Sequence, residues 1–235
     1  MLIDYKKVTI FQDDYCVLKD IDFSVDRGEF VYIIGKVGSG KSSLLKTLYC
    51  ELDIDSAEKC EVLGRDLSHL KRREIPALRR EMGVIFQDFQ LLHDRNVEQN
   101  LKFVLRATGW TDKKERDERI DSVLDAVGMQ DKREKMPHEL SGGEQQHIAI
   151  ARSLLNRPHI IIADEPTGNL DPDTARRILS LLKDISSHGT AVVMTTHNIS
   201  LIDEFPGKVY RCHDGDLTDV TQEYAQMDLS EESKG

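Results

Sequence analysis

Gly35-Lys36-Val37-Gly38-Ser39-Gly40-Lys41-Ser42 is the stretch that decides the fold. It meets every fixed position of the pattern G-x-x-x-x-G-K-[ST]. Before it stands Phe30-Val-Tyr-Ile-Ile34, an apolar, β-rich run of strand length. After it, Ser43-Leu-Leu-Lys-Thr-Leu-Tyr-Cys50 reads as the opening turns of a helix. Glycine at 35, 38 and 40 admits backbone conformations closed to residues with a Cβ, so successive N–H groups can turn toward one anion. The helix start adds unsatisfied N–H groups and the positive end of its dipole. Lys41 brings a formal charge for β- and γ-phosphates, and the Ser42 hydroxyl is placed to ligate Mg²⁺. A glycine-rich turn without a ligand would not call for that flanking strand and helix, so the stretch is read as a nucleotide phosphate site.

Working outward, three more apolar strands end in polar residues. His159-Ile-Ile-Ile-Ala-Asp-Glu-Pro166 reads as a fully buried parallel strand. Ligands of open α/β sheets sit at the carboxyl ends of strands, which puts Asp164 and Glu165 beside the phosphate loop if the two strands are neighbours. Asp164 would then hold the Mg²⁺ shell, and Glu165 would orient and polarise water. Val192-Val-Met-Thr-Thr196 ends at His197, a lone histidine open to a structural or a catalytic reading. Gly83-Val-Ile-Phe86 ends at Gln87, a turn residue unless its amide reaches the nucleotide. Leu140-Ser-Gly-Gly-Glu144, ahead of Gln145–Leu155, is a second helix start. Ser141 serves there as N-cap, and Gly142 and Gly143 permit close backbone approach. A plain capped helix would carry the same letters.

The remaining elements complete an α/β reading. Leu2–Phe11 and Cys16–Val25 read as strands around an Asp13-Asp14 turn. Phe11 and Tyr15 lie near its tip, either as edge-strand packing or as a platform for a nucleotide base. Cys60–Leu63 is strand-like and Ser68–Met82 a basic helical stretch. Val97–Thr108 is amphipathic and stops at Gly109, and Thr111 caps a helix over Asp112–Val127 that stops at Gly128. Asp171-Pro172 is an N-cap followed by proline at the first helical position, with the helix running to Ser187. Lys208–Val220 is a hairpin turning at Asp214-Gly215. The organisation expected is one domain over 1–221, with core segments 1–87 and 157–221, a helical subdomain at about 88–156, and a frayed acidic tail at 222–235.

The formal net charge of −10 over 235 residues argues against a sequence-independent nucleic-acid binder. Lys71-Arg-Arg73 and Arg79-Arg80 read as a solvated helix face. Cys16, Cys50, Cys60 and Cys212 lack metal-ligand spacing, and no signal peptide stands at the start, which together read as cytosolic. No apolar run reaches membrane-spanning length, so work at a membrane would need a partner to provide the span.

In their order and spacing, the Gly35–Ser42 loop, Gln87, Leu140–Glu144, Ile160–Glu165, Asn169-Leu-Asp171 and His197 resemble the nucleotide-binding subunits of ABC transporters. The resemblance covers nearly the whole chain, and the S-G-G helix start is its discriminating part. It implies an ABC ATPase core of the phosphate-loop NTPase class with an antiparallel β subdomain and an inserted α-helical subdomain. ATP and Mg²⁺ would be the ligands. Phe11 would stack on the base, Gly35, Lys36, Val37, Gly38, Ser39, Gly40, Lys41 and Ser42 would hold the phosphates, and Ser42, Gln87 and Asp164 would serve the metal. Glu165 would be the catalytic carboxylate and His197 the γ-phosphate contact, while Gln87 would touch the attacking water and sense the membrane partner. Ser141, Gly142 and Gly143 would grip the γ-phosphate of ATP bound to a second copy, and Asp171 would link the two sites of that head-to-tail homodimer.

Ala163–Asp171, Phe86–Val97 and Thr196–Ile202 resemble the branch of the family with cell-division, lipoprotein-releasing and macrolide-export members, nearest the cell-division one. That implies an FtsX-like integral membrane subunit docking near Gln87 and the helical subdomain, with the chain peripheral on the inner face of the cell membrane and no nucleic acid bound. Some positions depart from the pattern. His147 stands where the signature helix usually has Arg or Lys, Lys36 is uncommon in the loop, and 51–60 lacks a Gly/Pro turn. ABC-type ATPases of DNA repair or translation usually carry a coiled-coil insertion or two cassettes. Nucleotide kinases lack the S-G-G start.

Overall fold

The computed structural model describes residues 1–224. Strand β1 (Ile3–Gln12) pairs antiparallel with β2 (Tyr15–Val25) around the Asp13-Asp14 turn. Ile3, Tyr5, Val8 and Ile10 of β1 are all buried. A register shift between Tyr5 and Val8, with Lys7 at φ 50°, bends the strand. Strand β3 (Phe30–Ile34) is buried along its length and feeds the phosphate loop into helix α1 (Lys41–Leu48). Next come β4 (Lys59–Val62), the two-residue β5 (Arg65–Asp66), α2 (Ile75–Arg80) and β6 (Met82–Ile85). Helices α3 (Val97–Ala107), α4 (Lys113–Ala126) and α5 (Gly142–Leu154) follow. The chain then runs through β7 (Ile160–Ala163), α6 (Pro172–Ser187), β8 (Ala191–Thr196), α7 (Ser200–Glu204), β9 (Lys208–His213) and β10 (Asp216–Asp219).

Two sheets result. One is antiparallel, in the order β2-β1-β4-β5. The other runs β10-β9-β3-β8-β7-β6, parallel except for the edge strand β10. Alternation along its strands splits the core between two faces. Phe30, Tyr32, Ile161, Val192 and Met194 face the apolar sides of α3 to α6, while Val31, Ile33, Ile162 and Val193 face α1 and the antiparallel sheet. A side-chain hydrogen bond of 3.2 Å from Tyr5 to Thr47 ties that sheet to α1. Among the described residues, no helix is long and apolar enough to cross a membrane.

Several local expectations are corrected. The stretch Ser68–Met82 is a 3-10 turn at Leu67–His69 followed by the short α2. Pro76 sits in the first turn of α2, where its missing N–H goes unneeded; with more helix before it the ring would clash with the carbonyl four residues back, so the helix does not extend upstream. Strand β6 begins at Met82 and ends before Phe86. Asp112, not Thr111, caps α4: its carboxylate accepts the Glu115 N–H at 2.8 Å and adds negative charge at the dipole's positive end. Helix α7 went unforeseen. The expected tail opens on an ordered helical turn over 221–224, held by the Arg211–Glu223 ion pair and by Tyr224 against the core. The rest of that tail lies outside the described residues.

The close approach of α5 to β6 gives a stability prediction. A Cβ on Gly83 would lie 2.7 Å from the Ser153 carbonyl oxygen and 2.9 Å from its Cβ. Gly83→Ala therefore costs about 1–3 kcal/mol of overpacking, read as a lower urea midpoint with an unchanged slope.

Candidate functional site

Parallel pairing brings the carboxyl ends of four strands to one edge. Ile34 of β3 is level with Thr196 of β8, and Met194 of β8 with Ala163 of β7, which is level in turn with Ile85 of β6. The phosphate loop, His197, the Asp164-Glu165 pair and Gln87 therefore share that edge. One premise of the sequence reading is corrected. The strand before the acids is not a neighbour of the strand before the phosphate loop, because β8 runs between them. The gap is nonetheless closed: Ser42 Oγ donates to Asp164 Oδ1 at 3.1 Å.

The loop is held from within and from behind. Gly40 at φ 103° is the N-cap of α1 and provides no side-chain cap, so the first N–H groups of α1 are left for an anion. A side chain at Gly35 would strike the Cys212 carbonyl oxygen. Lys41 is 7% exposed, and its ammonium donates to the carbonyls of Gly35 at 2.8 Å and Lys36 at 2.9 Å. Ser39 Oγ is buried without a hydrogen-bond partner, and the Ser39 carbonyl accepts from the Cys212 thiol. Burial pushes that thiol's pKa up, so it stays neutral. Val37 stands at the loop's apex, 95% exposed.

A cavity of about 380 Å³ opens beside the loop, lined by Gly38, Gly40, Lys41 and Ser42 together with Gln12, Tyr15 and Val17. Phe11 is half-buried, pairs with Cys16 across the hairpin and is not among the lining residues. Tyr15, 74% exposed, is the aromatic on that wall.

The two acids are tied to their surroundings differently. Asp164 Oδ1 accepts from Ser42 and, at 2.6 Å, from Thr195 Oγ1. Glu165 stands at φ 46°, an uncommon conformation for a residue with a Cβ, and its carboxylate meets His197 Nδ1 at 2.9 Å. With its proton on Nδ1 the ring donates to Glu165 and leaves Nε2 as an acceptor. A phosphate contact at Nε2 therefore calls for the protonated ring or for loss of the Glu165 contact. The Gln87 amide nitrogen faces the same loop, 3.8 Å from where a Cβ on Gly168 would stand. Among the described residues, no three His, Cys, Asp or Glu side chains form a metal cluster. Ser42 and Asp164 instead present paired oxygen donors, the sparse set that suits Mg²⁺ when phosphates complete its shell.

The second helix start is built as the sequence implies. Ser141 Oγ accepts the Glu144 N–H at 3.2 Å, and Glu144 accepts the Ser141 N–H at 2.8 Å. Gly143 is also closely approached by α6: a Cβ there would lie 2.6 Å from the Thr174 methyl group, which would have to shift. His147 turns its Nδ1 to the Gly143 carbonyl at 2.8 Å. Asp171 caps α6 by accepting the Thr174 N–H at 3.0 Å, and hydrogen bonds from Thr174 hold its carboxyl below the usual range.

Sequence reading missed Thr195, hidden in an apolar strand, although its polarity there was a usable signal. It also missed Arg152 of α5. This guanidinium donates to the carbonyls of Gln90 at 2.5 Å and Phe89 at 2.9 Å, two consecutive residues with positive φ just after Gln87. The Phe89 ring lies 3.8 Å from where a Cβ on Gly142 would stand.

The sequence profile of the family described as ABC transporter matches residues 18–168. The cell division ATP-binding protein FtsE of Streptococcus pneumoniae is 42% identical over 198 residues, covering 84% of this chain and 85% of the relative. The solved structure of cbiO1 from Clostridium perfringens, part of the ABC transporter complex cbiONQ, superposes with a TM-score of 0.89. It is 26% identical over 98% of this chain and 93% of that one. The ATP-binding cassette MJ0796, solved as a dimer in a post-hydrolysis state bound to ADP and Pi, gives a TM-score of 0.80. It is 30% identical over 93% of this chain and 98% of that one.

Proposed function

The chain belongs to the ABC transporter family, and we propose from that footing that it hydrolyses ATP as a head-to-tail homodimer to drive an FtsX-like membrane partner in cell division. One observation carries the reading. A single chain holds a phosphate loop with a hydroxyl–carboxylate pair and an acid–imidazole pair at one sheet edge, and a separate helix start whose exposed N-cap, Ser141, hydrogen-bonds within its own turn, with Glu144 of that turn also paired to Lys132. Two copies facing each other would complete two sites.

In this reading Lys41, the loop amides and the α1 N-terminus hold the β- and γ-phosphates. Mg²⁺, when bound by Ser42, Asp164 and Gln87, neutralises charge on the phosphate oxygens. Glu165 takes a proton from water as the water oxygen bonds to the γ-phosphorus and the bond to the β–γ bridging oxygen breaks. Ser141, Gly142 and Gly143 of the second copy hold the same γ-phosphate, and Asp171 stands between the sites. Hydrolysis removes the group both copies grip, and the pair loosens. The partner provides the membrane span and docks near Gln87 and the helices after it, with the chain on the inner face of the cell membrane.

The test is assembly. In light scattering, the Glu165→Gln protein is expected to dimerise with ATP and to stay monomeric with ADP. Detergent-solubilised membranes should release it with an integral membrane protein that has a large extracytoplasmic domain. Monomer under every nucleotide, with and without that partner, would overturn the reading.

A further inference from the structure

With β8 running between β3 and β7, the Ser42–Asp164 contact spans that strand, and β8 is placed to support the acids from between the two. The residue at that level is Thr195, paired with Ile33 of β3 and one step beyond Met194, which is level with Ala163. Thr195 is fully buried. Its Oγ1 accepts the Glu165 N–H at 2.8 Å and lies 2.6 Å from Asp164 Oδ1. A backbone N–H can only donate, so the hydroxyl's own proton is committed to the Asp164 carboxylate. One side chain thus fixes two consecutive acids, and Ser42 extends the chain of contacts to the phosphate loop. The same N–H bond holds Glu165 in its left-handed turn, which a residue with a Cβ adopts only when its surroundings over-determine it.

We propose that Thr195 is a positioning residue whose hydroxyl orients Asp164 for the divalent cation and holds the Glu165 turn that presents the catalytic carboxylate. The inference rests on the roles given above to Asp164 and Glu165. It concerns the hydroxyl rather than the bulk of the side chain, and Thr195→Val separates the two: shape is kept and both hydrogen bonds go.

The experiment uses the full chain with Thr195→Val and Thr195→Ser. Mn²⁺ serves as the metal probe, its affinity in the presence of ADP read by electron paramagnetic resonance. Binding of a fluorescent ATP analogue is measured in EDTA, and kcat and KM in Mg²⁺. Loss of a hydrogen bond to a charged group sets the scale. In Thr195→Val, Mn²⁺ affinity and kcat each fall about 10- to 100-fold, while metal-free nucleotide affinity is unchanged. Thr195→Ser restores both. A packing role would not split metal affinity from nucleotide affinity in this way. Wild-type Mn²⁺ affinity and kcat in Thr195→Val would overturn the proposal, as would a folded Thr195→Ser as impaired as Thr195→Val. Should Thr195→Val not fold, Thr195→Cys, similar in size to serine with a weak donor, carries the same expectation. Full activity in Asp164→Asn and Glu165→Gln would instead sink the site reading on which the inference stands.

Discussion

Glu165→Gln lowers the rate of ATP hydrolysis by about 10²–10⁴-fold, the scale of a lost general base, and leaves ATP binding intact. The substitution replaces one carboxylate oxygen with an amide nitrogen in a side chain of the same shape. Glutamine can still accept a hydrogen bond from His197 Nδ1, which now stands 2.9 Å from the carboxylate. It cannot take up a proton. The backbone bond from Glu165 N to Thr195 is untouched, so the turn persists. Single-turnover hydrolysis with saturating ATP measures the loss, and equilibrium binding of a fluorescent analogue measures what is kept. Hydrolysis near the wild-type rate would remove Glu165 from the reaction.

Lys41→Ala abolishes nucleotide binding at working ATP concentrations. Two things are lost together. The ammonium is a positive charge held within the loop, and it also braces the loop's shape by donating to Gly35 and Lys36 at 2.8 and 2.9 Å. Charged hydrogen bonds contribute about 1.5–3 kcal/mol each, so losing two phosphate contacts lowers affinity by about 10²–10⁴-fold. The α1 N-terminus remains and accounts for any residual binding. Calorimetry measures the affinity, and the urea midpoint checks that the fold survives. Unchanged ATP affinity would contradict the phosphate-site assignment.

What the sequence made legible was the set of strand ends. Val-, Ile- and Ala-rich runs with a polar residue at the exit announced β3, β7 and β8, because strands buried on both faces have no alternation to obscure them. The caps at Ser141 and Asp171 were legible because side-chain oxygens at that spacing serve local N–H groups. Features that depend on distant segments were not. Strand order is a property of the whole sheet, so nothing near Asp164 revealed that β8 would intervene. The contact of Gly143 with Thr174 joins helices separated by a strand, and Arg152 finds its acceptors some sixty residues earlier. Tyr15 and Phe11 stand on opposite sides of the hairpin, because Phe11 pairs with Cys16 and Tyr15 with Gln12, the next pair along.

The guanidinium of Arg152 also carries a mechanical consequence. Its bonds to Phe89 and Gln90, and the Phe89 ring resting beside Gly142, join the segment after Gln87 to the helix that opens at Ser141. In the proposed reading, a push on that segment from outside would reach the Ser141 helix through these contacts. In the head-to-tail pair proposed above, the Ser141 end of that helix would lie over the other copy's ATP, so each protomer's load would be reported first to its neighbour.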